Sequence, residues 1–170
     1  MTSPTRLLDL LCALHRTDVE FVVIGGLAGQ MRGLVRPTDD VDIVPLRTPE
    51  NHDRIAAFLR SVHARLRIAG ADAGVPFPIE RDYLLAVDWW TLVTDIGDLG
   101  LLAAPGGLTY EQLVGSATSE SLGDGVRVAF ASRPALIAMK VAAGRPQDLA
   151  DVDALTRAAE LEDEIDGPST

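Results

Sequence analysis

A short apolar run that ends at two glycines restricts the fold of this 170-residue chain more than any other feature. Phe21–Ile24 is rich in β-branched residues and stops at Gly25-Gly26, which predicts a buried strand followed by a tight turn. Leu27–Leu34 then has the apolar spacing of a short helix, and Val41–Leu46 is a second strand-like run. A strand, a turn, a helix and a second strand in this order indicate a fold that mixes helices with a sheet.

Periodicity and capping residues predict the other elements. Helices are expected at Ser3–Leu14, Thr48–Leu66, Thr109–Val114, Ser132–Ala143 and from Pro146 through Leu155 or on to Leu161. Strands are expected at Tyr83–Val87, Trp90–Thr94, Leu99–Ala103 and Val126–Phe130, with a loop at 70–82 and a polar loop or helix remnant at 116–125. No internal repeat or long linker divides the chain. We therefore expect one α/β (α+β) domain over residues 1–170, with its core at about residues 20–155, in which helices flank a short mixed sheet.

Composition limits what the chain binds and where it works. A net charge of −10 is opposite to that of a protein that coats nucleic acid, so any RNA contact is local and falls in the Arg-rich first half. No apolar run approaches the ~20 residues of a membrane span. The opening segment reads as an amphipathic helix rather than a secretory signal, because Asp9 interrupts it. The single cysteine, Cys12, cannot form an internal disulfide, which is typical of a reducing cytoplasm.

Two acidic residues stand two positions apart at the head of the second strand. Because side chains alternate along a strand, Asp40 and Asp42 point to one face while Val41 and Ile43 point to the other. Two like charges on one face repel each other unless a cation lies between them. Mg²⁺ takes oxygen ligands and is commonly held by one or two carboxylates and substrate phosphates. The pattern therefore predicts a site for Mg²⁺ or Mn²⁺.

The glycine turn offers the complementary group for a phosphorylated ligand. Glycines between a strand and a helix let backbone N–H groups approach a phosphate, and the helix N-terminus favours an anion. The chain has neither GxxxxGK[ST] nor GxGxxG, which excludes a P-loop and a Rossmann fingerprint. Lys140 is the only lysine among 15 basic residues. Its compact ammonium makes it a candidate for a contact that arginine cannot replace.

Residues 25–45, GGLAGQMRGLVRPTDDVDIVP, resemble the hG-G/S … Dh[DE]h pattern of the nucleotidyltransferase superfamily. They are most similar to its AbiEii/MenT-like branch, whose members read GG-x-A and then G-x-x-R-x-T-x-D-h-D-h. The later stretch ALIAMKVAAGRPQDLADVDAL resembles the K … R-x-x-D-x-x-D signature of that branch. The matching positions are Gly25, Gly26, Ala28, Gly33, Arg36, Thr38, Asp40 and Asp42, followed by Lys140, Arg145, Asp148 and Asp151.

The resemblance implies a nucleotidyltransferase fold and a role for the matched residues. Gly25 and Gly26 would hold nucleotide phosphates, and Asp40 and Asp42 would hold the metal ion. Lys140 would contact the triphosphate and neutralise charge as pyrophosphate leaves. The other nucleotide-site candidates are Thr38, Arg36, which would meet either a phosphate or an Asp, Arg145, and the acids Asp148 and Asp151, which would orient a cation or contact the base.

The sequence departs from the family at one acid. The superfamily usually has a third carboxylate on a later strand, within T-x-x-G-x-L-D in this branch. Here the run is TDIGDLG from Thr94, which places Gly100 where the acid would fall. Asp98 shares that strand face two residues earlier and is the nearest substitute. The third acid commonly helps to deprotonate the attacking hydroxyl, so its loss would affect catalysis more than nucleotide binding.

Three functions follow from these residues. The resemblance implies transfer of NMP from an NTP to an acceptor hydroxyl with release of pyrophosphate, by the toxin of a toxin–antitoxin pair acting on a tRNA 3′ end. A cognate antitoxin would then be a partner. An acidic surface also suits adenylylation of a small hydroxylated molecule such as an aminoglycoside. The missing acid leaves a third alternative, a catalytically weak nucleotide-binding regulatory protein.

Overall fold

A computed structural model describes residues 4–165, so the expected helix cap Ser3 and residues 166–170 lie outside it. Within this range the helices are α1 (Pro4–Arg16), α2 (Gly25–Gln30), α3 (Pro49–Ser61), α4 (Arg81–Leu85), α5 (Tyr110–Val114), α6 (Arg133–Ala143) and α7 (Pro146–Ile165), with a 3₁₀ turn at Pro105–Gly107. The strands are β1 (Phe21–Ile24), β2 (Asp40–Pro45), β3 (Arg65–Ile68), β4 (Ala71–Val75), β5 (Trp89–Thr94), β6 (Gly97–Leu102), β7 (Thr118–Gly123) and β8 (Val126–Phe130).

These strands form one mixed sheet in the order β4-β3-β5-β6-β2-β1-β8-β7. β2 lies near the middle, antiparallel to β1 and parallel to β6, and β1 is parallel to β8. The remaining neighbours pair antiparallel. The predicted mixed sheet with flanking and C-terminal helices is therefore confirmed.

The two faces of β2 lie in different surroundings because its side chains alternate. Val41 and Ile43 are fully buried, in a core that also contains Leu10 of α1 and Phe58 of α3. Asp42 points to the other face, toward a cavity lined in part by α6 and α7. The sheet thus separates an apolar core from the polar site.

Three stretches differ from the sequence prediction. β4 lies inside the predicted loop 70–82 and forms a hairpin with β3, because Gly70 makes the turn with φ of +82°. β7 lies inside the predicted loop 116–125; it is an edge strand whose mostly exposed polar side chains resemble those of a loop. The predicted strand Tyr83–Val87 is largely α4, whose Leu84 carbonyl accepts a hydrogen bond from the Trp90 indole at 3.2 Å.

Two helices end earlier than predicted, and α7 continues to Ile165, beyond its predicted end. The helix expected at Leu27–Leu34 begins at Gly25 and ends at Gln30, since the Leu34 N–H turns back to the Gly29 carbonyl at 2.9 Å. The helix expected to reach Leu66 ends at Ser61, because Leu66 belongs to β3. Within the described range, none of the helices combines the length and the apolar character needed to cross a membrane.

Candidate active site

Both carboxylates of the Asp-x-Asp pattern lie on one face of β2, as strand alternation requires. In the parallel pairing with β6, Asp40 lies across from Asp98, and Asp42 lies across from Gly100. A Cβ on Gly100 would overlap the Asp42 Oδ1 atom. The carboxylate of Asp42 therefore occupies the space that a side chain at residue 100 would need.

The glycine turn lies against the same two acids. Gly25 has φ of +67°, a conformation that favours glycine, and a Cβ on it would overlap Asp42 Oδ2. A Cβ on Gly26 would come within 2.6 Å of the Thr38 hydroxyl oxygen. That hydroxyl donates to Asp40 Oδ1 at 2.9 Å. Gly25 thus makes room for Asp42 itself, and Gly26 makes room for Thr38, which holds Asp40.

Asp42 is held in a position that disfavours its charge. Burial and the nearby negative charge of Asp40 raise the pKa of Asp42 to about 6, although the positive charges of Lys140 and Arg145 lower it. A buried carboxylate whose pKa is raised beside a second acid is typical of a functional site.

Lys140 reaches this site from α6 and is only 7% exposed. Its ammonium donates to Asp151 Oδ2 at 2.6 Å. Arg36 binds the same carboxylate through Nε at 2.9 Å and Nη2 at 2.8 Å, and Gln147 donates to it at 3.1 Å. Of the two partners expected for Arg36, the structure therefore gives it the acid.

Asp151 and Asp148 each bind basic side chains beside the site. Burial raises the pKa of Asp151, but hydrogen bonds from Arg36, Lys140 and Gln147 outweigh it and hold the pKa below the usual range. Asp148 accepts from Arg145 Nε at 2.6 Å, and this bond lowers the pKa of Asp148. Both acids thus orient basic side chains, which is one of the two roles predicted for them.

Asp98 lies on the site face but is bound by a neighbour. Its carboxylate forms an ion pair with Arg67 of β3. The strand pairing puts Asp98 beside Asp40, one residue pair away from Gly100 and Asp42. Asp98 therefore does not fill the position of Gly100, where the family pattern has its third acid.

A polar cavity of about 500 Å³ brings these residues together. Every predicted site residue except Asp151 lines it: Gly25, Gly26, Arg36, Thr38, Asp40, Asp42, Asp98, Lys140, Arg145 and Asp148. Sequence reasoning missed Arg67, Trp89 and Thr91, which line it as well. Strand alternation could have found two of them, since Trp89 and Thr91 share the face opposite the buried Trp90 and Leu92.

The donor set fits a hard divalent cation. Asp40 and Asp42 offer oxygen ligands on one face, and burial and the negative charge of Asp40 raise the pKa of Asp42. In the range 4–165, no group of three or more His, Cys, Asp or Glu is arranged to hold a metal. Further ligands would therefore come from substrate phosphates and water, as is usual for Mg²⁺.

Comparisons with known proteins show the class of fold. No protein-family model matches the chain, and no curated protein matches it. Solved structures do match, and they show a nucleotidyltransferase fold, which confirms the predicted fold class.

One of these solved proteins is ANT(2'')-Ia. Its crystal structure in complex with adenylyl-2''-tobramycin matches with a TM-score of 0.57 at 17% identity, over 94% of this chain and 92% of that chain. The solution structure of the antibiotic-resistance factor ANT(2'')-Ia matches with a TM-score of 0.50 at 17% identity, over 99% and 100%. At this identity the likeness extends to the fold, and the AbiEii/MenT-like branch stays a prediction.

Gly100 provides a first test of the site. We expect Gly100→Ala to lower any transfer rate about 100-fold, because a methyl group there displaces the Asp42 carboxylate by about an ångström. Gly100→Asp should lower the rate too, rather than restore a missing acid. The measurement is kcat with thermal melting as a check of folding.

Gly115→Ala is the matched control. Gly115 has φ of −63°, and the nearest atom to a Cβ there is 3.8 Å away. It should keep the wild-type rate. A wild-type rate in Gly100→Ala, or a faster rate in Gly100→Asp, would contradict the placement of the Asp42 carboxylate against Gly100.

Proposed function

We propose that the chain transfers a nucleoside monophosphate from an NTP to an acceptor hydroxyl and releases pyrophosphate. The observation that carries this proposal is the contact of Asp42 with the Gly25 turn, in a cavity that Lys140 also lines. Carboxylates for a metal ion, a turn for phosphates and a buried ammonium are the groups that phosphoryl transfer requires.

Each group then has one task. The Gly25-Gly26 turn and Lys140 bind the triphosphate, and Arg145 faces it from the cavity edge. Asp151 holds Lys140 in place through the 2.6 Å bond. Asp40 and Asp42 would hold Mg²⁺ or Mn²⁺, which when bound neutralises charge on the phosphates.

The reaction joins the acceptor oxygen to the α-phosphorus and breaks the bond from that phosphorus to the oxygen that leaves with pyrophosphate. Lys140 stabilises the negative charge on the leaving group. The proton of the acceptor hydroxyl must go to a base. Asp98 is the carboxylate we assign to it, because it lines the same cavity.

For the acceptor, the sequence resemblance favours an RNA 3′ end such as that of tRNA, with the chain as the toxin of a toxin–antitoxin pair. A small cationic acceptor is the second candidate. It is favoured by the fold shared with ANT(2'')-Ia and by the net charge of −10.

Incubation with each α-³²P-labelled NTP and Mg²⁺ separates these acceptors. We expect label to enter RNA when purified tRNA is supplied, and to stay out of tobramycin supplied at the same concentration. tRNA that lacks its terminal hydroxyl after periodate oxidation is the matched control. Label in tobramycin alone would assign the second acceptor, and label in neither would overturn both.

A further inference from the structure

Two adjacent tryptophans of β5 have opposite surroundings. Trp90 is 5% exposed, donates its indole N–H to Leu84 and stacks on Phe77 with ring centroids 5.2 Å apart. Trp89 is 62% exposed and has no ring contact or hydrogen bond of its side chain within the described part of the chain. The exposed ring of Trp89 lines the polar site, where its faces are available to a flat ligand.

Trp89 stands between two cavities. One is the polar cavity of the carboxylates. The other has a volume of about 560 Å³ and runs between the segment after β6 and helix α6, with mostly apolar walls that include Leu102, Met139 and Ala143. Both cavities share Gly25, Asp42, Trp89, Lys140, Arg145 and Asp148. A ligand whose phosphates lie at the shared residues can therefore extend into either one.

We infer that the apolar cavity binds the nucleoside of the NTP, with its base stacked on Trp89. This inference rests on the proposed function, since it takes the phosphates to lie at Gly25 and Lys140. A volume of about 560 Å³ with mostly apolar walls is typical of a small-ligand pocket. A flat base with two π faces suits both the walls and the exposed indole.

The polar and apolar linings assign the two cavities to the two substrates. The polar cavity is lined by Asp40, Asp98 and Thr91 of β5. It therefore suits the metal ion and an acceptor hydroxyl that must lose a proton. Neither Asp40 nor Asp98 lines the apolar cavity. The transferred phosphorus then lies at the shared residues, between nucleoside and acceptor. Stacking tolerates every base, so Trp89 contributes affinity for all four NTPs.

Calorimetric binding of ATP, GTP, CTP, UTP and inorganic tripolyphosphate, with Mg²⁺ and no acceptor, tests this inference. We expect Trp89→Ala to weaken all four nucleotides about tenfold or more and to leave tripolyphosphate unchanged. Trp89→Phe should recover most of the affinity, because it keeps a stacking ring. Ala143 is on α6 and lines the apolar cavity, so the larger side chain in Ala143→Leu should narrow that cavity. We expect it to weaken the binding of nucleotides and to leave the binding of tripolyphosphate unchanged.

Tyr83→Ala is the control for loss of an exposed aromatic ring, since Tyr83 is 45% exposed and lines neither cavity. Unchanged nucleotide affinity in Trp89→Ala would overturn the inference, as would an effect confined to the KM of the acceptor. If the wild-type chain binds neither nucleotides nor tripolyphosphate, the proposed function itself fails. The two failures are therefore distinguishable.

Discussion

Asp42→Asn is expected to lower transfer by about a thousandfold or more while making the metal-free protein more stable. The loss of activity follows from the loss of a metal ligand, since a bound cation supplies several kcal/mol of stabilisation to the transition state. The gain in stability follows from the strain on the charged acid, whose pKa burial and Asp40 raise to about 6. Rate and melting temperature should therefore move in opposite directions.

The pH dependence of stability gives this prediction its sign. Asp42 has a pKa of about 6 in the folded protein and about 3.9 in the unfolded chain, so folding takes up a proton between these values. The associated stability is full below pH 4 and is lost as the pH rises through 6. The loss amounts to about 3 kcal/mol. Asn has no charge to acquire, so the variant should exceed the wild type at pH 7.5 and equal it near pH 4.

Urea unfolding without metal at both pH values checks this result. Asp72→Asn is the control, because Asp72 is an exposed acid on β4, at the far end of the sheet. Mg²⁺ should stabilise the wild type and have a smaller effect on Asp42→Asn. A variant that is less stable than the wild type at pH 7.5, or equally active, would contradict the electrostatic account.

Asp151→Asn is expected to destabilise the fold by about 3 kcal/mol and to reduce transfer strongly. Asp151 is 3% exposed and joins Arg36 to Lys140, so the neutral amide leaves the buried ammonium with a charged partner only at 4.0 Å, Asp148. Breaking one side of a buried ion pair leaves an uncompensated charge. Equilibrium unfolding measures the stability, and kcat with KM for the NTP measures the displaced Lys140.

The contribution of Asp151 to folding stability changes with pH in the opposite direction to that of Asp42. The pKa of Asp151 is depressed in the folded protein, so its stability is present above the unfolded value of about 3.9 and is lost as the pH falls. Asp151→Asn should therefore lose less stability on acidification than the wild type. Asp153→Asn, an exposed acid on the same helix, is the control. Wild-type stability in Asp151→Asn would show that the network contributes nothing.

The local part of the site could be predicted from sequence because it depends on short-range geometry. A period of two places Asp40 and Asp42 on one strand face wherever the strand lies. The apolar run that stops at Gly25-Gly26 likewise indicates where a strand ends, and β1 does end at Ile24. These rules involve at most a few neighbouring residues, so they hold before the fold is known.

The rest depends on contacts between distant segments. Arg36 and Asp151 meet across 115 positions, and nothing near Arg36 selects an acid over a phosphate. The position of Asp42 beside Gly100 follows from the register between β2 and β6, which cannot be inferred from the sequence of β6 alone. The hairpin of β3 and β4 was missed because its glycines read as a loop, and with it Arg67, the partner of Asp98.

The position of the label in the NTP tests the central claim most directly. The protein is incubated with Mg²⁺, acceptor and one NTP that carries ³²P at either the α or the γ position, beside Asp42→Asn as a blank. We predict that the α label becomes covalently attached to the acceptor and that the γ label appears in pyrophosphate, in equal amounts. Transfer of the γ label to the acceptor, or release of inorganic phosphate without attachment of the α label, would contradict nucleotidyl transfer at this site.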